Sequence, residues 1–486
     1  MNLPLNKIIM KTKKILAALV IGAAIVVSCK KPEPTPEVKP ATVVSIEPSS
    51  AKANAEIVVT GTNFSEVLLE NAIVINDKEI TPYEVEILED GTTKLYAAVP
   101  SRLGSGKVAV RVKGELYTSD VTFEYIKEIK FSNVIGGVWG VSWGTSDPTE
   151  PKFNGPLGAC ADEKGQILLV EQWQHCIRKI NPVGPTIALW AGAYGASGCA
   201  GGSLSEARFN TPKGIVPIGK DKYVVFSESQ VQIIEGNTVK LLGKTRDESG
   251  EKVFEGKVEN VSFCNTNGAA YDEKNNLVYF GCNYNDKHFI LKYDVAAGTV
   301  SVAAGSLTAE DSKGNVDGDV TTVGRVTDVS RMTVASDGTL YFIQSWKHNV
   351  RKLSKGILTT VAGQFEQGGW VDGDAATAKF NFVAENGEPG GGIVEDEDGN
   401  FLIADPGNHA IRKMTPDGVV TTISAMQEGG PNKWAYKDDY DPNMGNHLGA
   451  TQYCAHPIHI FKIAPYTYGF TQYTGDAPGV RQIVFE

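Results

Sequence analysis

The stretch that decides the fold runs from Gly391 to Ala425 and reads GGIVEDEDGNFLIADPGNHAIRKMTPDGVVTTISA. Its short apolar and β-branched runs predict strands at Ile393–Val394, Phe401–Ala404, Ala410–Met414 and Val419–Ile423. Turn residues separate these runs at Asp398-Gly399, at Pro406-Gly407-Asn408 and at Pro416-Asp417-Gly418. The stretch therefore predicts a four-stranded antiparallel meander.

The same plan recurs along the chain, and a phrase in the third strand marks it most clearly. GNHAIRKM at residues 407–414 has close relatives in WQHCIRKI at 173–180 and WKHNVRKL at 346–353. Units of the same plan end at Ala191-Gly192, Leu242-Gly243, Ala304-Gly305 and Ala362-Gly363. A meander that cannot bury both of its faces alone stacks against its neighbours, and radial stacking makes a β-propeller.

The C-terminus supplies an incomplete further unit. Its first three strands are predicted at Ile458–Ile463, Tyr466–Thr471 and Val480–Ile483. The missing fourth strand is assigned to Ile129–Ile135, which precedes the first complete unit. The sequence thus predicts an all-β six-bladed propeller over residues 129–486, closed by three C-terminal strands and one N-terminal strand, with no open sheet edge.

Two resemblances to known families accompany this pattern. Residues 41–126 alternate short β-rich runs with turns, and Glu47-Pro48, Gly61-Thr62-Asn63-Phe64 and Val99-Pro100 make them similar to the IPT/TIG immunoglobulin-like module. The His-x-Ile-Arg-Lys phrase, together with the Gly-Asp link at residues 373–381, resembles the NHL repeat. The resemblances imply an immunoglobulin-like sandwich with a spacer role, followed by an NHL-type propeller.

The first forty residues predict export and anchoring. Three lysines precede an apolar run, Ile15–Val27, that ends in small residues before Cys29, and this resembles a bacterial lipoprotein signal. We expect residues 1–28 to be removed, Cys29 to be lipidated, and the Pro-rich linker at 29–40 to hold the folded part off the membrane. The domain order resembles lipoproteins of Bacteroides-type bacteria, which implies an outer-membrane, surface-exposed position and glycan capture beside a transporter complex.

Charge and cysteine content narrow the classes of partner. The formal net charge of the 486 residues is −11, which disfavours nucleic acid because such proteins bind by neutralising phosphates. Cysteines can pair in an oxidising compartment, and Cys264 and Cys282 flank one predicted hairpin, so they are a candidate disulfide. Separate buried thiols are the alternative.

Aromatic residues concentrate on one predicted face of the propeller. In an up-and-down meander, the turn after the second strand and the link to the next unit emerge on the same face. That face is predicted to carry Trp173 and Trp346 in turns, and Trp139, Trp143, Trp370, Trp434 and Tyr194 in links. A sugar stacks its C–H face on such rings while its hydroxyl groups take polar partners. The polar candidates end second strands: Glu171, Gln344 and Asp405.

Other chemistries have weaker signals. The repeated histidines and arginines are predicted to be structural hydrogen-bonding groups: His175, His348, His409, Arg178, Arg351 and Arg412. Calcium is an option at the link aspartates Asp317, Asp319, Asp372 and Asp374, and a metal site is an option at His447, His456 and His459. The sequence favours a non-catalytic glycan-binding protein without a cofactor; a protein-docking scaffold and an envelope lyase or hydrolase are the alternatives.

Overall fold

A computed structural model describes residues 39–136, 138–139, 151–184, 186–246, 249–307, 314–384, 387, 390–425, 456–473 and 478–486. The chain divides into two compact units, the first mainly within residues 56–124 and the second mainly within Tyr125–Glu486. Within the described ranges, helical structure is limited to four short 3-10 turns, at Leu68–Glu70, Val258–Asn260, Ser345–Lys347 and Pro406–Asn408. None of the described helices is long and apolar enough to cross a bilayer. The prediction of an all-β chain is confirmed.

Two antiparallel sheets form the N-terminal domain. Its strands are β1 (Thr42–Glu47), β2 (Ser50–Ala51), β3 (Glu56–Thr62), β4 (Asn71–Ile75), β5 (Lys78–Ile80), β6 (Glu84–Ile87), β7 (Thr92–Ala98), β8 (Gly106–Val112) and β9 (Glu115–Tyr125). One sheet has the order β1-β3-β7-β6 and the other β2-β9-β8-β4-β5. Alternate residues along β3 and β7, such as Ile57 and Leu95, are fully buried. This period of two is expected of strands that cover a core on one face.

Six four-stranded antiparallel meanders follow, numbered here as sheets one to six. They are preceded by β10 (Ile129–Gly136) and a short parallel pair, β11 (Val138–Trp139) and β12 (Lys152–Phe153). Sheet one contains β13 (Pro156–Ala161), β14 (Ile167–Glu171), β15 (Cys176–Asn181) and β16 (Thr186–Gly192). Sheet two contains β17 (Gly202–Ser203), β18 (Pro212–Pro217), β19 (Lys222–Ser227), β20 (Val231–Glu235) and β21 (Thr238–Leu241).

The next sheets repeat this plan. Sheet three contains β22 (Gly256–Lys257), β23 (Thr266–Asp272), β24 (Leu277–Tyr284), β25 (Lys287–Asp294) and β26 (Thr299–Gly305). Sheet four contains β27 (Gly318–Asp319), β28 (Val329–Val334), β29 (Leu340–Gln344), β30 (Asn349–Ser354) and β31 (Ile357–Ala362). Sheet five contains β32 (Ile393–Glu395), β33 (Phe401–Asp405), β34 (Ala410–Met414) and β35 (Val420–Ala425). In sheets two, three and four, a two-residue strand from the preceding link, β17, β22 or β27, pairs with the fourth strand of the meander.

Sheet six joins both ends of the second unit. It contains β36 (Pro457–Ala464), β37 (Thr467–Gln472) and β38 (Gly479–Phe485), and β10 completes it by pairing antiparallel with β38. Ile129 lies opposite Phe485, and Gly136 lies opposite Gly479. The predicted union of three C-terminal strands with one N-terminal strand is therefore present in this sheet.

The first strand of each meander contacts the first strand of the next. β13 contacts β18, and the series continues through β23, β28, β32 and β36, which in turn contacts β13. Glycine permits the close approach of these strands: a Cβ placed on Gly268 would lie 1.5 Å from the carbonyl oxygen of Ser330. Apolar side chains fill the space between neighbouring sheets, as where Phe226 of sheet two shares a core with Phe280 of sheet three.

Candidate functional site

A buried arginine on the third strand organises sheets one, four and five. Arg178, Arg351 and Arg412 are fully buried, as are the polar residues that end the preceding strands, Glu171, Gln344 and Asp405. A hydrogen bond joins the two residues in each sheet. Arg178 Nη1 lies 3.0 Å from Glu171 Oε1, Arg351 Nη1 lies 3.2 Å from Gln344 Oε1, and Arg412 Nη1 lies 2.8 Å from Asp405 Oδ2. The structure thus places the three polar residues, which the sequence assigned to a ligand site, inside the protein with acceptor atoms on a guanidinium.

The link aspartates complete the same arginine sites. Asp317 Oδ1 lies 2.7 Å from Arg351 Nη2, and Asp372 Oδ1 lies 2.6 Å from Arg412 Nη2. Asp319 and Asp374 instead accept hydrogen bonds within their own turns, from Thr321 and Thr377. Each carboxylate that suggested calcium thus binds donors of the protein itself. Among the described residues, no group of three or more His, Cys, Asp or Glu side chains could hold a metal ion.

The repeated histidines tie each sheet to the link that follows it. The Nδ1 atoms of His175, His348 and His409 accept hydrogen bonds from the backbone N–H groups of Thr211, Phe382 and His456. Burial lowers the pKa of all three imidazoles, which keeps this nitrogen unprotonated. The contacts give them the predicted structural role. His288 in sheet three accepts the same kind of hydrogen bond, from the backbone N–H of Asp328. It was not predicted because no Arg-Lys pair follows it in the sequence.

Cys264 and Cys282 are separate thiols in the structure, so the disulfide prediction is wrong. Both side chains are buried in one apolar cluster between sheets two and three. The register of the hairpin explains the outcome, because Cys282 lies opposite Thr266 and its sulfur is 3.6 Å from the Thr266 hydroxyl. Burial raises the pKa of Cys282 to about 12, so it is a thiol at neutral pH.

Trp173 presents a fixed, exposed indole on the turn between β14 and β15. Its side chain is 45 % exposed. The indole N–H donates to the hydroxyl oxygen of Tyr473, 2.9 Å away, and the Tyr473 hydroxyl lies 3.3 Å from Gln172 Oε1. Gly155 packs so closely that a Cβ there would lie 2.7 Å from Trp173 Cδ1. These contacts hold the ring in one orientation while leaving much of its surface open.

Trp346 is a second exposed indole in the described part of the chain. It lies in the 3-10 turn between β29 and β30 and is 49 % exposed. Next to it, Lys347 Nζ lies 2.8 Å from Glu366 Oε1 and 5.5 Å from the ring centre of the exposed Phe365. Sheets one and four are three steps apart in the series of strand contacts, in either direction. Trp173 and Trp346 therefore lie on opposite sides of the series.

The remaining predicted aromatic residues are half-buried or lie outside the described residues. Trp370 is half-buried, and its indole N–H donates to the Thr422 hydroxyl at 3.0 Å, which pins its link to β35. Tyr194 is half-buried, and burial raises its pKa. Trp143, Trp434 and the side chain of Trp139 lie outside the described residues. The same holds for His447, Cys29, the predicted signal and the predicted linker up to residue 38.

Polar groups on the face that carries the Trp173 and Trp346 turns were not predicted from the sequence. Lys213, at the start of β18, has a largely buried side chain whose Nζ lies 2.7 Å from Asn267 Oδ1 and 2.9 Å from Glu228 Oε1. Asn265 is also within reach of this ammonium group, at 3.4 Å, and it donates to Asn283. We name these five residues the amide rim. No spacing in the sequence identified it, because its members come from three strands, β18, β23 and β24, and from two loops beside the strands of sheets two and three.

Comparisons with known proteins agree with this architecture. The IPT/TIG domain family model matches residues 41–125. No curated protein sequence matches the chain. A Bacteroides thetaiotaomicron protein of unknown function is similar in structure at 19 % identity, with a TM-score of 0.58 over 93 % of this chain and 99 % of that one.

Two solved structures of proteins with a named role are also similar. Both are auxiliary nutrient binding proteins, one from Bacteroides thetaiotaomicron at 17 % identity and one from Bacteroides ovatus at 16 %. Each has a TM-score of 0.51 and covers 92 % of this chain, and 98 % of the other chain is covered. At these identities the likeness shows a shared fold. The chain therefore carries an IPT/TIG domain followed by an all-β domain with structural neighbours in Bacteroides.

Proposed function

We propose that this protein is a non-catalytic, surface-exposed lipoprotein that binds a polysaccharide or oligosaccharide through the Trp173 face of a closed six-bladed propeller. One observation carries the proposal: Trp173 is held rigid by Tyr473 and Gly155 while 45 % of its side chain stays exposed. A rigid indole loses little conformational entropy when a ligand stacks on it. Its exposed face suits the C–H face of a pyranose.

The polar half of the site is assigned to the amide rim. Side-chain amides both donate and accept hydrogen bonds, as sugar hydroxyl groups do. Lys213 and Glu228 of the rim hold each other and Asn267 in place, which orients the amides before a ligand arrives. The rim belongs to sheets two and three, between the sheets that carry Trp173 and Trp346. A glycan chain that crosses this face would meet an aromatic ring, then polar groups, then a second ring.

Two further facts support a capture role. The structural neighbours from Bacteroides include proteins named as auxiliary nutrient binding proteins. The N-terminal sequence before the described residues carries the lipoprotein pattern ending at Cys29, with a Pro-rich linker after it. Lipidation would hold the binding face at the outer membrane, where a transporter complex could receive the glycan.

The test is binding of residues 30–486 to a panel of plant, host and microbial polysaccharides by affinity electrophoresis and calorimetry. Reducing-end detection runs in parallel. Saturable binding without new chain ends supports the proposal. New chain ends on any glycan would instead identify a lyase or hydrolase, and the absence of retardation by every glycan would turn the search to protein partners.

Once the panel identifies a glycan that binds, substitutions in the protein show where it binds. Trp173→Ala should weaken binding at least about tenfold, as loss of a buried aromatic contact commonly does at binding hot spots. Tyr83→Ala is the matched control, because Tyr83 is an exposed aromatic residue of the N-terminal domain. If Tyr83→Ala abolishes binding and Trp173→Ala does not, the IPT/TIG domain is the binding module.

A further inference from the structure

The first strands of the six sheets enclose a second candidate site, a cavity of about 340 Å³. It extends from the middle of these strands to their carboxyl ends, where Pro217, Val334, Glu273 and Lys462 lie. Those ends lead into the turns between first and second strands. The cavity therefore lies toward the face opposite the Trp173 and Trp346 turns.

The wall of the cavity is mainly apolar. Each first strand contributes one buried side chain at the same level, and these are Ala159, Ile215, Ala269, Met332, Ile393 and Ile460. Phe226 and Phe461 add two rings. A narrow apolar wall of this kind excludes a hydrated sugar, whose hydroxyl groups would lose their hydrogen bonds to water.

The inner end of the cavity is polar because two of the six first strands carry a polar residue where the other four carry glycine. The residue just before each wall position is glycine in four strands, at Gly158, Gly214, Gly268 and Gly392. The other two strands carry Arg331 and His459 there, and both side chains line the cavity. Arg331 is buried, and its Nη1 lies 3.3 Å from the carbonyl oxygen of Lys213 and 3.4 Å from that of Asn267.

His459 faces the same space in its neutral form. Its Nε2 lies 3.0 Å from the carbonyl oxygen of Ala159, and within the described part of the chain its Nδ1 has no hydrogen-bond partner. Burial and the nearby guanidinium of Arg331 lower the pKa of His459 to about 3. At neutral pH the inner end of the cavity thus offers the guanidinium and an uncharged imidazole.

We propose that this cavity binds a small carboxylate whose apolar body lies along the wall, with its carboxylate group against Arg331. The planar guanidinium matches a carboxylate through paired hydrogen bonds, and the attraction is strengthened because Arg331 is buried. A volume of about 340 Å³ is within the range of small-molecule sites. The proposal does not require that the Trp173 face binds a glycan.

Methionine NMR tests the proposal on residues 30–486 with ¹³C-labelled methionine methyl groups. Met332 belongs to the wall, whereas Met414 is buried in a cluster between sheets four and five and serves as the internal control. The probes are benzoate and its uncharged counterpart benzyl alcohol. We expect the ring current of benzoate to shift the Met332 signal saturably. Benzyl alcohol should bind at least about tenfold more weakly, because it cannot form the charge-assisted pair. The Met414 signal should stay in place with both probes. Met332→Leu assigns the signal.

Arg331→Met then removes the guanidinium, and it should abolish the saturable benzoate shift if the variant folds. Should that variant fail to fold, the comparison of benzoate with benzyl alcohol in the parent protein still decides. An unshifted Met332 signal with benzoate, or equal binding of both probes, overturns the proposal. Benzoate binding that survives in folded Arg331→Met also overturns it.

Discussion

Arg412 Nη1 lies 2.8 Å from Asp405 Oδ2, and both side chains are fully shielded from solvent. Burial raises the pKa of Asp405, and the guanidinium opposes that increase. Removing Asp405 would leave the buried guanidinium with only the partly exposed Asp372 as a counter-charge, and loss of one member of a buried pair costs about 3–5 kcal/mol. We therefore expect Asp405→Ala to lower the free energy of unfolding by about that amount, measured by urea denaturation.

Two further variants show whether loss of the buried pair causes the expected decrease in stability of Asp405→Ala. Asp374→Ala removes an exposed carboxylate that caps only its own turn, so a loss of about 1 kcal/mol or less is expected. Asp405→Leu combined with Arg412→Met replaces both charges by apolar groups and should recover much of the stability. A loss for Asp405→Ala no larger than that for Asp374→Ala would contradict the assignment.

The same pair shows what the sequence could and could not provide. The strands of sheet five were predictable because apolar periodicity and turn residues are local signals: Ala410–Met414 was predicted to the residue. Whether Asp405 faces a ligand or a guanidinium depends on the register of the β33–β34 hairpin, which places Arg412 opposite Ile403, and on how deeply that hairpin is buried. One clue was present, because Glu171, Gln344 and Asp405 each precede an arginine by seven residues.

Among features that join distant parts of the sequence, some were also predictable and others were not. The pairing of β10 with β38 was predictable because a missing fourth strand and an orphan strand were both visible in the sequence. Cys264 and Cys282 were misjudged because a shift of a few residues at the start of β23 decides which residue lies opposite Cys282. The amide rim and the Arg331 cavity were invisible, since each is assembled from strands far apart in the sequence.

Tyr473→Phe tests whether rigidity of Trp173 contributes to glycan binding. The change removes the hydroxyl oxygen that accepts the indole N–H and leaves the buried ring in place. We expect affinity to fall about two- to fivefold, which corresponds to roughly one neutral hydrogen bond. Calorimetry with the glycan identified by the panel measures it, and an unchanged affinity would show that the hydrogen bond is irrelevant to binding.

Trp173 and Trp346 should act as independent subsites because they lie on sheets one and four. Effects of distant substitutions usually add within about 0.5 kcal/mol. The loss of binding free energy in the double variant Trp173→Ala/Trp346→Ala should therefore equal the sum of the two single losses, measured with a long glycan. A short oligosaccharide should respond to only one of the two changes. Strong non-additivity with every ligand length would show that both rings contact one sugar.

Buried thiols predict a distinctive response to thiol reagents. Cys160, Cys176, Cys264 and Cys282 are all buried, and burial raises the pKa of Cys282 to about 12, so native protein should protect these four from Ellman's reagent. Unfolding in urea should release them. Reductant should leave the melting temperature unchanged; a clear decrease would show that a stabilising disulfide had formed.

Stability should fall as the pH is lowered from 7 to 5, because all six histidines of the described chain have a lowered pKa that results mainly from burial. An unfolded histidine has a pKa of about 6.5 and takes up a proton in this range, whereas His456, with a pKa of about 4, stays neutral in the folded chain. The stabilisation is complete above the unfolded pKa and is lost as the pH falls through it toward the folded pKa. For His456 the loss at pH 5 is about 2 kcal/mol.

Urea denaturation at pH 7, 6 and 5 measures this dependence, and His456→Gln isolates one contribution. The variant should lose about 2 kcal/mol less than the parent between pH 7 and pH 5, because glutamine does not titrate. The range stops at pH 5 so that carboxyl groups, whose unfolded pKa values are near 4, contribute little. Equal pH dependence in the two proteins would show that the pKa of His456 is the same in the folded and the unfolded chain, as it is for an exposed imidazole.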